Sequence, residues 1–307
     1  MVSGQPTRRT RTGTVAGEQP AQHPRTGIVV ITRNRRTSLL ATLDRLAALP
    51  ERPPVVVVDN GSTDGTADAV RALHPAVRLL TPGRNLAAAG RTYGAAALST
   101  PYIAFSDDDS WWEPGALDRA ADVLDTHPRL GLVSAATLVG PEARPDPLNA
   151  ALRNSPLGQE PDLPGRSVLG FLACAAVVRR TAFLEVGGFH PLLGIGGEEQ
   201  LLAIDLDTHG WGVAHCPGVV ARHAPDGAPR PGRVARMRRN ELLTAWLRRP
   251  LREALAQTVR LALDSRDDPQ ARLALADAAR RLPAALARRR RVPGRVERRI
   301  RLLETSS

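Results

Sequence analysis

Three consecutive aspartates, Asp107, Asp108 and Asp109, follow the apolar run Tyr102-Ile103-Ala104-Phe105, and a fourth, Asp59, ends the run Val55-Val56-Val57-Val58. Read as two strands of a parallel sheet, both runs deliver a carboxylate at their C-terminal ends. That is the crevice in which open α/β sheets bind ligands. Like charges gathered there need a counterion, and a divalent cation suits an oxygen-rich cluster. Further along, Glu198 and Glu199 follow Gly196-Gly197 as a helical pattern begins, a position from which carboxylates reach back toward such a crevice. Two acids placed only to favour a helix dipole are the plain alternative.

The segment from Asp59 to Thr66, Asp-Asn-Gly-Ser-Thr-Asp-Gly-Thr, turns a strand into a helix. Asn60-Gly61 supplies the turn, and Ser62, Thr63 or Asp64 caps the helix. A capped turn explains the later residues but not Asp59 at the strand end, where a carboxylate suits ribose hydroxyls or a base N–H. No GxGxxG follows the first strand and no GxxxxGK[ST] occurs, so dinucleotide and P-loop readings lose their support.

The elements that must hold these residues alternate. Strands are expected at 27–31, 54–58, 77–80 and 102–105, with helices at 38–49, 64–73 and 86–98 between them. This predicts an α/β fold with a mostly parallel sheet flanked by helices and functional loops at the strand C-terminal ends. Residues 140–165 contain six prolines and read as a long loop, a candidate lid. An apolar strand at 168–178 and a helix at 197–208 come next. Beyond them the chain reads as helical and basic, with helices at 233–248, 251–263 and 270–286.

Composition bounds the class. At 307 residues and 42% hydrophobic content the chain can bury a substantial core. No run approaches the roughly 18 apolar residues of a membrane span. Residues 1–25 are polar, lack the apolar core of a secretory signal and are expected to be disordered. Cys174 and Cys216 have no metal-ligand spacing and read as buried thiols of a reducing compartment, which predicts a cytoplasmic protein. The net charge of +11 is unevenly spread: residues 228–307 hold 21 arginines against 8 acids, and the rest of the chain is slightly acidic. The expected organisation is therefore a disordered segment at 1–25, a catalytic domain at 26–227 and a basic helical extension at 228–307. The extension has three readings: a docking surface for anionic lipid, a solvated bundle, or a nucleic-acid surface. The last lacks interleaved aromatics or a motif, so no nucleic-acid partner is expected.

Taken in order, Thr32-Arg33-Asn34-Arg35, the Asp59 segment, Asn85, Asp107-Asp108-Asp109, Gly187-Gly188-Phe189 and Gly197-Glu198-Glu199 resemble the family 2 glycosyltransferases of the GT-A fold, over about residues 26–225. The resemblance implies transfer of a sugar from a nucleotide diphosphate donor (a UDP-, dTDP- or GDP-sugar) to an acceptor hydroxyl with inversion, using Mg²⁺ or Mn²⁺. The acceptor would be a glycan, a lipid-linked molecule or a small molecule, the second in keeping with peripheral contact at the inner membrane face. Carried over by position, Thr32, Asn34 and Asp59 fall in the nucleoside pocket, Asn85 and Arg91 border the nucleotide and diphosphate, and Asp107 meets the ribose side. Asp108 belongs to the same group, and Asp109 binds the metal, with His223 a candidate further ligand. Single displacement needs a carboxylate to deprotonate the acceptor. Glu199 matches that place, though the family usually has Asp there; Glu198 and Asp205 are the rivals. Trp111 and Trp112 read either as stacking surfaces or as core aromatics, and His190 stands where the family often has an acid. Two other classes remain: a sugar-phosphate nucleotidyltransferase, which would want a glycine-rich basic loop near the first strand, and a catalytically silent nucleotide-sugar-binding module.

Overall fold

The β-branched runs become strands because a pleated, doubly covered surface suits them. In the computed structural model, which describes residues 1, 24–227 and 231–306, the chain begins with β1 (Thr26–Thr32), α1 (Arg36–Ala47), β2 (Val55–Asp59), α2 (Thr66–Leu73), β3 (Arg78–Leu80), α3 (Ala89–Ala96) and β4 (Tyr102–Asp107). The middle of the chain forms β5 (Ser110–Trp112), α4 (Ala116–Thr126), β6 (Leu130–Val139), β7 (Arg144–Pro145), α5 (Pro147–Arg153), β8 (Ala176–Arg179), α6 (Arg180–Glu185), α7 (Glu198–Thr208) and β9 (Gly212–His223). Four helices complete it: α8 (Arg233–Arg248), α9 (Leu251–Asp264), α10 (Pro269–Ala287) and α11 (Gly294–Thr305).

The strands form one nine-stranded sheet in the order β3-β2-β1-β4-β8-β6-β9-β5, with β7 on β6. The four strands from β3 to β4 are parallel, as their alternation with helices predicts. Beyond β4 the sheet is mixed: β8 runs antiparallel to both β4 and β6, and β9 runs parallel to β6. Successive residues of each central strand enter different cores. Ile28, Val30 and Ala104 pack under α1 and α4, whereas Val29, Ile31 and Phe105 pack on the other face with Phe183 and Phe189. Their rings lie 5.2–5.8 Å apart in tilted and edge-on pairs, a preferred aromatic geometry. Helix α3 approaches β1 so closely that a Cβ at Gly94 would sit 2.5 Å from Val29 Cγ1, so glycine is required there.

Several expectations change. Residues 140–165 are not an open lid: they hold β7 and α5, and Asn149 closes the turn by exchanging two hydrogen bonds with the Thr137 backbone at 2.9 and 2.8 Å. Leu152 and Leu163 enter the cores. The strand expected over 168–178 is confined to Ala176–Arg179, preceded by a 3₁₀ turn at Ala173–Ala175. The expectation of disorder at 1–25 falls almost wholly outside the described residues. The basic segment is helical, and α8, α9 and α10 share a core with Leu193 and Leu201, while Val296 and Ile300 of α11 return to the core beside α7.

Candidate functional site

Register places the acids. Thr32 pairs with Asp59 and Ile31 with Asp107, so β1, β2 and β4 end within a residue of one level at one edge of the sheet, with Thr32 and Asp59 directed to one face and Asp107 to the other. Asp59 is buried, and its Oδ1 accepts the Ser62 N–H at 2.8 Å. Asn34 has φ 54°, a conformation asparagine tolerates. Its Oδ1 accepts the Thr63 N–H at 2.7 Å and its N–H donates to Ser62 Oγ at 2.9 Å, which fastens the loop after β1 to the loop after β2. Asn85 is exposed beside these loops and accepts the Ala87 N–H at 2.8 Å.

After Asp107 the chain reverses, with the Asp107 N–H donating to Ser110 Oγ at 2.7 Å. Strand β5 then pairs antiparallel with β9, Ser110 opposite His223. This brings His223 Nε2 to 3.3 Å from Asp109 Oδ1. Arg35 binds the same cluster: Nε meets Asp108 Oδ1 at 3.1 Å, Nη2 meets Asp109 Oδ2 at 3.0 Å, and Nη1 pairs with Asp226. Asp108 also accepts the Thr32 hydroxyl at 3.0 Å, and its backbone carbonyl accepts the Ser38 and Thr42 hydroxyls. Burial pushes the Asp108 carboxyl up to about 6, against the opposing charge of Arg35 and with repulsion from Asp109 and Asp107.

Asp109 and His223 are donors about as far apart as adjacent ligands of one cation. Octahedral Mg²⁺ bonds of about 2.1 Å place neighbouring donors roughly 3 Å apart. By spacing the pair could supply two ligands of one divalent ion, Asp109 an oxygen and His223 a nitrogen, with the other Asp109 oxygen held by Arg35. No group of three or more His, Cys, Asp or Glu side chains placed to hold a metal is found among the described residues, so water and substrate phosphate would supply the rest.

Helix α7 begins with the two glutamates, Glu198 and Glu199. Gly197, with φ 88°, starts the helix, and the loop before it is held by α8: Asn240 Nδ2 donates to the Gly196 carbonyl at 2.7 Å, and Arg239 donates to the Leu193 carbonyl and, from Nε, to Asn240 Oδ1 at 2.9 Å. Glu198 is 1% exposed, accepts the Gly196 N–H and lies 3.6 Å from Arg91 Nη1. Burial raises its carboxyl to about 8, the neighbouring Glu199 adds to the rise and Arg91 opposes it. Glu199 is only partly buried.

Arg91 departs from expectation. It is 2% exposed and pairs with Asp107 on one side and Glu198 on the other, its guanidinium 5.3 Å from the Phe189 ring centroid. It underlies the crevice as a link between two carboxylates and does not present an open face to a diphosphate. Asp205 is likewise removed from the site, because Arg248 grips it with Nη2 to Oδ2 at 2.9 Å inside the packed interface of α7 and α8. Trp112 is a core residue, while Trp111 carries the Arg45 guanidinium 3.9 Å above its ring. His190 accepts the Leu192 N–H, and burial together with Arg248 and Arg288 lowers it to about 4. The sequence pattern assigned no role to Arg35, Arg239 or Asn240. An acid cluster's demand for cations was a signal for Arg35; nothing local marked the α8 pair.

The family model described as Glycosyl transferase family 2 matches residues 27–187. An N-acetylglucosaminyl-diphospho-decaprenol L-rhamnosyltransferase of Mycobacterium tuberculosis is 29% identical over 229 residues, 64% of this chain and 75% of the relative. Among solved structures, the mannosyltransferase PcManGT from Pyrobaculum calidifontis, in complex with GDP-Man and Mn²⁺, superposes with a TM-score of 0.55 at 20% identity over 94% of this chain and 77% of that one. S. aureus TarS 1–349 in complex with UDP-GlcNAc gives 0.56 at 17% identity over 89% and 83%. Those likenesses place the curled, helix-flanked sheet among GT-A structures, and the family match over more than half of the chain shows that it is a glycosyltransferase belonging to glycosyl transferase family 2.

Proposed function

We propose that the protein is a metal-dependent, inverting glycosyltransferase that moves a sugar from a nucleotide diphosphate donor to an acceptor hydroxyl by single displacement. The observation that carries this reading is the contact of Arg91 with both Asp107 and Glu198: it joins the carboxylate-lined strand ends to the helix whose next residue, Glu199, is an accessible carboxylate. In this reading Thr32, Asn34 and Asp59 line the nucleoside end, Asn85 borders it, and Asp107 meets the ribose. Asp109 and His223 would hold Mg²⁺ or Mn²⁺, which when bound offsets the charge of the leaving diphosphate. Glu199 accepts the acceptor hydroxyl proton as the oxygen bonds to the anomeric carbon. The carbon–phosphate-oxygen bond breaks on the opposite face, its electron pair leaves with the diphosphate, and the configuration inverts. Glu198, buried and raised, holds its own proton and shapes the loop.

The rhamnosyltransferase relative supports an L-rhamnosyl donor and a polyprenyl diphosphate-linked acceptor as the first pair to try; glycans and small molecules come next. Against a nucleotidyltransferase, the loop after β1 is Thr32-Arg33-Asn34-Arg35, with no glycine to cradle a triphosphate. Calorimetric titration of UDP, dTDP and GDP with and without Mn²⁺ tests the donor site. One nucleotide should bind about tenfold or more tightly with metal, and Asp109→Ala should abolish the difference. Equal affinity with and without metal in the wild type would overturn the metal assignment.

A further inference from the structure

Helix α9 turns aliphatic side chains to water. At about 100° per residue, Leu251, Leu255, Val259 and Leu263 fall within a sector of roughly 120°. They are 54, 53, 57 and 49% exposed. Ala254 and Leu261 lie outside this sector, on the side turned to the bundle core. Arg252 falls inside the aliphatic sector and is exposed, its Nε 3.4 Å from Glu253 Oε1; Arg260 lies about 60° beyond the Leu263 edge, and no carboxylate of α9 falls within the sector. Glu253 and Asp264 lie beyond the same edge as Arg260; Arg301 pairs with Glu253 at 2.6 Å, and Asp264 lines a cleft shared with α8. A water-facing helix flank is ordinarily polar. A row of long aliphatics flanked by an arginine is instead a feature of helices that rest in a bilayer interface, with the arginine stem along the apolar surface and its head among the phosphates.

We propose that this face of α9 docks on an anionic phospholipid bilayer, with the four aliphatic side chains entering the boundary between headgroups and acyl chains and the exposed Arg252 meeting lipid phosphates. Charge favours a bilayer over a second copy of the chain. Residues 228–307 hold 21 arginines against 8 acids, so pairing two copies through this face would bring like charges together, whereas an anionic surface is complementary. No helix among the described residues is long and apolar enough to cross a membrane. The placement also suits a membrane-borne acceptor. Arg238, Glu241 and Leu242 of α8 face Gln257, Arg260, Leu261 and Asp264 of α9 across one cleft. The Leu263 end of the stripe therefore lies beside the part of α8 that holds the loop before Glu198.

Vesicle flotation tests this without any measurement of turnover, so its failure is separate from failure of the catalytic reading. The full chain is floated with phosphatidylcholine vesicles and with three-to-one phosphatidylcholine to phosphatidylglycerol vesicles. It is compared with Leu255→Glu/Val259→Glu and with Arg290→Ala/Arg291→Ala, whose arginines are exposed outside α9. The wild type should float with the mixed vesicles and much less with phosphatidylcholine alone, and binding should weaken in high salt. The α9 double variant should lose about tenfold or more of its binding while keeping its unfolding midpoint, because both positions are exposed. Three results would each overturn the proposal: no flotation of the wild type, flotation that survives in the α9 variant and is lost with Arg290 and Arg291, or a wild-type dimer without vesicle binding that the α9 variant splits.

Discussion

Glu198 and Glu199 are neighbours in sequence with opposite surroundings. The first is sealed beneath the crevice against Arg91 and the Gly196 N–H, and the second is partly open. Glu199→Gln should therefore lower the transfer rate by about 10²–10⁴ with little change in donor affinity, as expected for loss of a general base. Glu198→Gln keeps the shape of a buried carboxyl whose pKa burial raises, and should lower the rate by much less than the roughly 10²–10⁴ expected for loss of a general base. Equal losses would show that the two carboxylates act as a unit. A second consequence concerns stability. The folded pKa of Glu198 is raised to about 8 from 4.5, so the native state retains a proton that the unfolded chain releases. Its contribution to stability is thus most favourable at low pH and falls as pH rises from about 4.5 toward 8. Urea unfolding at pH 5 and pH 8 should show a drop for the wild type that is smaller in Glu198→Gln. At this scale the placing of Asp59 and Asp107 at the ends of β2 and β4 was legible, because each closes a largely apolar run. The roles of Arg35 and Arg91 were not, because their partners lie 16 to 191 positions away and are joined only by folding.

The parallel half of the sheet was equally legible, its β-branched runs and intervening helices being periodic enough to place within a few residues. Strand β5 escaped because it has only three residues and follows a run of three aspartates; it exists because β9 offers it a partner. The proline-rich stretch at 140–165 resembled a lid because prolines suppress the usual signals, yet Asn149 and two buried leucines fold it down. Between α7 and α8 the decisive feature is the buried pair Asp205–Arg248. Arg248→Ala would leave a carboxylate without its partner and should destabilise the protein by about 3–5 kcal/mol in denaturant unfolding. Replacing both, Arg248→Met with Asp205→Leu, should recover most of that loss. If the single change cost nothing, α8 would not be anchored as described, and neither would the loop before Glu198.

Across the whole molecule, the charge asymmetry has two parts. Many arginines of residues 228–307 are internal struts: Arg239 meets Asp277 at 2.6 Å, Arg249 meets Glu297 at 2.9 Å, and Arg299 ties α11 to Glu160 at 2.8 Å. Others, including Arg290, Arg291 and Arg298, face solvent. Composition showed the excess, but only the fold sorts struts from surface. The struts join the helices to α7 and to the segment around Glu160, so the basic region supports the crevice as well as adding charge.

The central claim, that the crevice turns over a nucleotide sugar with a metal at Asp109, is tested most directly by nucleoside diphosphate release from a panel of UDP-, dTDP- and GDP-sugars with Mg²⁺ or Mn²⁺. Metal-dependent release from one donor, abolished by Asp109→Ala, is the predicted result. Release that is independent of metal, or that survives in Asp109→Ala, would contradict the account.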